Sequence, residues 1–124
     1  MDTIDTTFGE FIEKKRKEKD ITLRGMAENL GIAPAYMSDI EKGRRYPPDM
    51  EKLLDIARIL NMSEEERDLM FDLAGEGKST ISPDLPENIM SSDIVRVALR
   101  KAKNTATEED WAKFLEILKE KEKL

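Results

Sequence analysis

The chain consists of short stretches of helical periodicity, each bounded by residues that start or stop a helix. Apolar residues recur every three or four positions along most of the chain, which is typical of amphipathic α-helices. Thr22 and Asp49 precede two of these stretches and are good N-cap residues, whereas Gly31 and Gly43 follow two others and are good helix stops. Because the starts and stops are closely spaced, the chain can bury its apolar residues only by packing several short helices together.

Seven helices are predicted, and a loop-forming segment separates the first five from the last two. The expected stripes of the first five contain Phe8, Phe11 and Ile12; Leu23, Met26, Ala27 and Leu30; Tyr36, Met37 and Ile40; Met50, Leu53, Leu54, Ala57 and Leu60; and Leu69, Met70 and Leu73. Residues 75–83 read G-E-G-K-S-T-I-S-P, the composition of a linker. We therefore expect an all-α fold with a five-helix domain over 1–74, a linker over 75–83 and a two-helix extension over 84–124.

The composition excludes several classes of site. The chain has 124 residues, and none of them is cysteine or histidine. Zinc sites of the Cys/His kind, cysteine nucleophiles and Ser-His-Asp triads are therefore ruled out. We expect no metal, no cofactor, no small-molecule ligand and no enzymatic activity.

Targeting signals are also missing from the sequence. The first eight residues, M-D-T-I-D-T-T-F, are acidic and contain no apolar run, so no signal peptide is expected. No stretch approaches the length of a membrane span. We expect a soluble cytoplasmic protein without a membrane partner.

The net charge of −6 is unevenly distributed. Residues 1–48 hold nine Lys/Arg and nine Asp/Glu, whereas residues 49–124 hold twelve and eighteen. A locally basic surface can therefore exist near the N-terminus of an acidic protein.

Two helices of about eight residues, joined through Gly31, fit the helix-turn-helix motif. Residues 8–74 resemble the phage-repressor/Cro (XRE) family at Thr22, Met26-Ala27, Leu30-Gly31-Ile32, Tyr36-Met37-Ser38, Ile40-Glu41-Lys42-Gly43, Arg44-Arg45 and Pro47. The resemblance implies a five-helix, lambda-repressor-like domain. It also implies that the second helix of the motif enters the major groove of duplex DNA and that helix N-termini meet phosphates.

The resemblance assigns base reading to five positions at the start and on the outer face of the third helix, namely Ala33, Pro34, Ala35, Ser38 and Asp39. Alanine can contact a thymine methyl, serine can bond to either partner, and aspartate can accept from cytosine N4. None of these side chains offers a bidentate contact to guanine or adenine.

Contacts to the DNA backbone are expected from Thr22, Leu23, Arg24, Tyr36, Lys42, Arg44 and Arg45. The family usually has glutamine where this chain has Leu23, which leaves only the main-chain N–H of Leu23 for a phosphate. At three of these positions a structural role is the alternative to a DNA contact. Leu23 can pack in the core, Tyr36 can form the core edge, and Arg44-Arg45 can be a solvated loop.

Arg16 and Glu41 lie on the apolar stripes of the first and third helices. A lone buried charge is costly, so two charges on facing stripes should pair. The resemblance implies the same ion pair, and we interpret both residues as structural.

The last predicted helix carries a wide apolar stripe of Trp111, Phe114, Leu115 and Leu118. This stripe either forms a homodimer interface, as helix-turn-helix proteins often need, or packs back onto the first domain. The sequence leaves both possibilities open.

Taken with the resemblance, these features predict sequence-specific binding of double-stranded DNA by a bacterial or mobile-element transcriptional repressor. The alternative is a protein-interaction module, an antitoxin or adaptor, that keeps the helix-turn-helix fold but has little affinity for DNA. The acidic net charge and the sparse reading helix favour the alternative, whereas Arg24, Lys42, Arg44 and Arg45 favour DNA.

Overall fold

The computed structural model describes residues 6–124. Every regular element in this range is a helix, which confirms the predicted all-α class. The helices are α1 (Phe8–Glu18), α2 (Leu23–Leu30), α3 (Pro34–Glu41), α4 (Met50–Ile59), α5 (Glu64–Gly77), α6 (Pro86–Met90), α7 (Asp93–Thr105) and α8 (Glu108–Glu122). The acidic residues 1–5, which contributed to the expectation of no signal peptide, lie outside the described range.

The chain divides into two compact units, residues 6–86 and residues 87–124. Helices α1–α5 lie in the first unit, and α7 and α8 lie in the second. The proposed boundaries at 74, 83 and 84 remain predictions of domain organisation.

Side-chain caps set the starts of most helices in the first unit. The Thr22 hydroxyl accepts a hydrogen bond from the main chain of Gly25, and Asp49 accepts one from Lys52 in the same way. Thr7 and Ser63 each form a capping box with a glutamate three residues later. The N-terminal N–H groups that lack helical partners are thereby partly satisfied.

All five helices of the first unit end in the same hydrogen-bonding pattern. A residue just beyond each helix adopts a positive φ, and these residues are Asp20, Gly31, Gly43, Asn61 and Ser79. The residue that follows each of them donates its main-chain N–H to a carbonyl five positions earlier, as Ile32 does to Ala27 at 3.0 Å. This is the Schellman motif, which reverses the chain abruptly and lets the next helix begin after a short turn.

The core of the first unit forms where the stripes of α1–α5 meet. Its buried hydrophobic side chains are Phe8, Phe11, Ile12, Met26, Ala27, Leu30, Met37, Ile40, Leu53, Ile56, Ala57, Leu60, Met62, Met70, Phe71, Leu73 and Ala74. Helix α3 packs on α1 and α2, while α4 packs on α2 and α5 packs on α1. An ion pair of 2.6 Å between Lys15 and Glu66 also joins α1 to the start of α5.

Two details of the first unit differ from the sequence-based expectation. Leu54 was placed in the stripe of α4, but its side chain is 49% exposed. Gly75 and Gly77 were placed in a linker, but α5 continues through both of them. The chain after α5 then folds back so closely that a Cβ on Gly75 would lie 2.9 Å from the carbonyl oxygen of Thr80, and the Ser82 hydroxyl donates to Asp72 at 2.6 Å.

The second unit contains well-capped helices without a buried core. Ser92 caps α7, and Thr107 forms a capping box with Asp110 at the start of α8. The one-turn helix α6 was missed, because five residues are too few to show a periodicity. No side chain of α6, α7 or α8 is buried.

The apolar stripe of α8 is exposed to a similar degree along its length. Trp111, Phe114, Leu115 and Leu118 are each 41–50% exposed, and Trp111 contacts Phe114 edge to face at a ring separation of 6.3 Å. No helix in residues 6–124 has both the length and the apolar character that a membrane crossing requires.

Candidate nucleic-acid interface

Helix α3 is held against α1 by close contact between their backbones. Gly9 in the first turn of α1 faces the end of α3, and a Cβ at this position would lie 2.3 Å from the carbonyl oxygen of Glu41. It would also lie 2.5 Å from the carbonyl oxygen of Ile40. Only glycine allows the two helices to come this close, so Gly9 helps to set the position of α3.

The buried ion pair expected between Arg16 and Glu41 is present and is bidentate. Arg16 Nε donates to Glu41 Oε2 at 2.7 Å, and Arg16 Nη2 donates to Glu41 Oε1 at 3.0 Å. The third nitrogen, Nη1, donates to the carbonyl oxygen of Ile21 at 2.8 Å. The hydrogen bond with Glu41 raises the pKa of Arg16 despite its burial. The pair therefore ties the ends of α1 and α3 to the turn that precedes α2.

The outer face of α3 presents small and weakly polar groups. Ala33, Pro34 and Ala35 lie accessible at its start, and Pro34 occupies the first helical position, where its missing N–H is not needed. Ser38 and Asp39 follow one turn later and are half-buried. These five residues thus form an accessible strip along α3, and their assignment to base reading stays a prediction.

The end of α3 places Arg44 beside Asp39. Gly43 has a φ of 77° and allows the main-chain N–H of Arg44 to donate to the carbonyl oxygen of Asp39 at 2.8 Å. The side chains meet as well, because Arg44 Nη1 lies 3.7 Å from Asp39 Oδ1. On the sequence alone Asp39 is a free acceptor for a base, so this ion pair was not expected. A glycine stop followed by arginine was the available signal, since the Schellman motif brings that position back over the last turn of the helix.

Arg45 folds back over α3 in a similar way. Its guanidinium carbon lies 5.6 Å from the centroid of the Tyr36 ring, within the range of a cation–π contact. Tyr36 is half-buried and packs against the core, so its ring forms the core edge. Arg44, Arg45 and the neighbouring Lys42 are all exposed, and they form a cationic cluster at the end of α3.

The start of α2 offers fewer free groups for a phosphate contact than the sequence suggests. Thr22 and Arg24 are exposed, but the Thr22 hydroxyl already accepts the capping hydrogen bond from Gly25 at 3.0 Å. Leu23 is half-buried and packs against the core, which agrees with the structural alternative for its side chain. Contacts of these three residues with a DNA backbone stay predictions.

Lys52 contributes to this region without having been singled out in the sequence. Its Nζ donates to the carbonyl oxygen of Leu30 at 2.8 Å, at the end of α2. The contact attaches the turn between α2 and α3 to α4. A lysine in the first turn of an amphipathic helix carries no pattern that would have revealed it.

Comparison with known proteins agrees with the geometry of α2 and α3. A helix-turn-helix family model matches residues 12–67, the range from the second turn of α1 to the first turn of α5. The uncharacterized HTH-type transcriptional regulator YqaE of Bacillus subtilis (strain 168) is 32% identical over 114 residues, which cover 91% of this chain and 90% of YqaE. The chain belongs to the XRE-type helix-turn-helix family of transcriptional regulators.

Two further matches each cover about half of the chain. The ImmF control region 10 kDa protein of Bacillus phage phi105 is 44% identical over 54 residues, and the match spans 44% of this chain and 59% of the phage protein. A crystal structure of SinR, the master regulator for biofilm formation, in complex with DNA has 30% identity and a TM-score of 0.47. That similarity covers 53% of this chain and all of the SinR chain.

Proposed function

We propose that this regulator binds double-stranded DNA in a sequence-specific manner, with α3 against the major groove. The observation that carries the proposal is the arrangement around α3. An accessible strip of five residues, Ala33, Pro34, Ala35, Ser38 and Asp39, lies directly beside the cationic cluster of Lys42, Arg44 and Arg45. Membership of a family of transcriptional regulators supports the same function. The protein-interaction module is not favoured, because a relative that matches nearly the whole chain, YqaE, is named as an uncharacterized HTH-type transcriptional regulator.

The two groups of residues have different tasks in this proposal. The strip on α3 contacts base edges through methyl, hydroxyl and carboxylate groups, and it carries the sequence preference. The cationic cluster, with Arg24 and the main-chain N–H groups at the start of α2, binds phosphates and sets the position of the protein on the duplex. Because the strip has no side chain that can bind guanine or adenine in a bidentate manner, much of the affinity comes from phosphate contacts and depends strongly on salt.

Selection of bound sequences from random duplex DNA tests sequence preference directly. We expect an enriched site that is recovered in independent rounds. Recovery of no enriched sequence, with retention of duplexes that depends on salt alone, would contradict sequence-specific binding.

The phosphate role of Arg44 and Arg45 is tested by replacing both with alanine. Binding should weaken on all duplexes alike, and the slope of log affinity against log salt should decrease by up to about two. The matched control replaces Arg58 and Arg67, two arginines of α4 and α5 outside the proposed interface, so that the net charge changes equally. An equal loss of affinity in both double variants would show that only net charge matters.

We further propose that the regulator acts as a repressor that blocks transcription of a neighbouring operon. Occupancy of an operator by a compact protein excludes other proteins from the same duplex, and no additional surface is required for that effect. A reporter gene behind the selected site should be expressed less when the protein is present. An increase of expression would identify an activator instead.

We propose that the apolar stripe of α8 forms a homodimer. Trp111, Phe114, Leu115 and Leu118 share one face and remain half exposed, although the helix is well capped. A two-fold dimer would present two copies of α3 to half-sites about 34 Å apart, one turn of duplex DNA. Both the stability of residues 87–124 and the affinity for a palindromic operator would then depend on protein concentration.

Truncation after Pro86 separates the two possibilities that the sequence left open. In the dimer, residues 1–86 should be a folded monomer with much weaker operator binding, and light scattering should find the full chain dimeric at tens of micromolar. If the stripe packs on the same chain, truncation should lower the thermal stability of residues 1–86 and leave the oligomeric state unchanged.

A further inference from the structure

The ion pair between Asp39 and Arg44 lies within the surface that we propose to bind duplex DNA. Arg44 Nη1 is 3.7 Å from Asp39 Oδ1, and the side chains are 67% and 34% exposed, respectively. This separation is longer than a hydrogen bond, and exposed pairs of this kind are weak. The two charges can therefore separate easily when either one is offered a better partner.

Duplex DNA offers a different partner to each residue. A phosphate can bind the guanidinium of Arg44 through two parallel hydrogen bonds. The amino group of cytosine can donate to the carboxylate of Asp39. A phosphate near Asp39 has the opposite effect, because two negative charges repel each other. Whether Asp39 favours or opposes DNA binding therefore depends on the base that its carboxylate faces.

The main chain allows this exchange without a change of fold. The hydrogen bond from the Arg44 N–H to the Asp39 carbonyl, at 2.8 Å, holds the two residues together whatever their side chains do. Gly43 keeps the positive φ that this turn needs. Opening of the ion pair thus requires only rotations of two side chains, both of which are at least partly exposed.

We propose that Asp39 is a specificity-determining residue that acts through Arg44. At a matching site, cytosine binds the carboxylate and Arg44 is released to a phosphate. At any other site, the carboxylate remains beside Arg44 and reduces the attraction of the cationic cluster for the DNA backbone. This inference rests on the proposed function and adds a coupling between one base contact and one phosphate contact.

The test compares the full chain with its Asp39→Asn variant on two duplexes of equal length. One duplex carries the selected site and the other a scrambled sequence, and binding is measured by fluorescence anisotropy at a fixed salt concentration. Removal of the negative charge should increase affinity for the scrambled duplex about three- to tenfold. The selected site should gain less, because an uncharged amide no longer couples cytosine to Arg44, and the ratio of the two affinities should fall.

Two further variants separate this coupling from a general charge effect. Asp68→Asn makes the same chemical change at an exposed position of α5 and should leave the ratio unchanged. In an Arg44→Ala background, Asp39→Asn should no longer increase affinity for the scrambled duplex. Melting curves of all variants establish that each one is folded.

Several outcomes would overturn the inference. An equal gain on both duplexes would show that Asp39 repels DNA without discrimination. A gain that persists in the Arg44→Ala background would show that Arg44 is not involved. If the parent protein binds duplexes but Asp39→Asn changes nothing, the inference fails and the proposed function stands. If the parent binds no duplex at all, both fail.

Discussion

Residues 6–86 and residues 87–124 are both built from capped amphipathic helices, but only the first unit has a buried core. Both units have capped helices with clear apolar stripes. In the first unit 17 hydrophobic side chains are buried, whereas no side chain of α6, α7 or α8 is. An amphipathic pattern is therefore sufficient to predict a helix, but burial needs a second stripe that faces the first. The two units should consequently respond very differently to comparable substitutions.

The largest effect is expected for Gly9→Ala. The added Cβ would lie within 2.5 Å of two carbonyl oxygens at the end of α3, and backbone atoms cannot move aside as a side chain can. We expect a loss of more than about 4 kcal/mol in the free energy of unfolding, which is large enough to unfold many small domains. Urea denaturation followed by circular dichroism measures this loss.

Gly25→Ala is the matched control for Gly9→Ala. A Cβ at Gly25 would come close only to the Thr22 hydroxyl oxygen, at 3.0 Å, and alanine is the better helix former. We expect a change within about 1 kcal/mol for this control. Equal stability of the two variants would show that the contact between α1 and α3 is adjustable.

The next largest effect is expected for Glu41→Ala, which leaves the buried Arg16 guanidinium without its carboxylate partner. The free energy of unfolding should fall by about 3–5 kcal/mol. Glu116→Ala in α8 breaks an exposed ion pair with Lys119 and should change stability by less than about 1 kcal/mol. A thermal melt of Glu41→Ala that coincides with that of the parent would refute the structural role of the pair.

Leucine-to-alanine substitutions compare the two units most directly. Leu53 is 1% exposed and Leu115 is 50% exposed. Leu53→Ala should destabilise the protein by about 2–5 kcal/mol, because it removes buried methyl groups and leaves a cavity. Leu115→Ala should change the unfolding of residues 6–86 by no more than about 0.5 kcal/mol.

The effect of Leu115→Ala on stability also depends on protein concentration if α8 forms a homodimer. In that case the variant should shift the monomer–dimer equilibrium measured by analytical ultracentrifugation. A large loss of stability in residues 6–86 would instead indicate that α8 contributes to their core.

A small effect is expected at the ion pair between Lys15 and Glu66. The hydrogen bond from Lys15 lowers the pKa of Glu66 to about 2, with help from the main chain of Ser63. Because the pKa of this acid is lower in the folded state, its contribution is present above the ordinary value of 4.5 and is lost as the pH falls toward 2. Both side chains are partly exposed, so we expect Glu66→Gln to cost only about 1 kcal/mol at neutral pH.

A pH series with Glu65→Gln as the control tests this expectation. Glu65 is the exposed neighbour of Glu66 in the first turn of α5. The difference in stability between the Glu66→Gln variant and the parent should disappear near pH 2. A difference that stays constant from pH 7 to pH 2 would exclude the charged form of Glu66 as its cause.

The sequence predicted the elements of the first unit well, because their signals are local. The caps Thr22 and Asp49 and the stops Gly31 and Gly43 act within a few residues of their own position. The ion pair of Arg16 and Glu41 could also be predicted from the sequence, because a buried charge needs a partner of opposite sign and the two residues lie on apolar stripes of separate helices.

Other features depend on three-dimensional arrangement and could not be read from a local pattern. Gly9 gave no sign that it faces α3, because a glycine in the first turn of a helix has several ordinary explanations. Leu54 satisfies the period of its helix but is half exposed, so the stripe read from the sequence includes more residues than α4 buries. The contact between Asp39 and Arg44 follows from the turn geometry at Gly43, which periodicity does not describe.

The Schellman turns on both sides of α3 have a consequence for how such a regulator can diverge. The turns at Gly31 and Gly43 are closed by main-chain hydrogen bonds and by two glycines, so their shape does not depend on the side chains of the accessible strip. The residues proposed to read DNA can therefore be exchanged while the scaffold remains intact. A lineage built on this fold can acquire a new operator by a few substitutions between the two glycines, without first having to evolve a new way of folding.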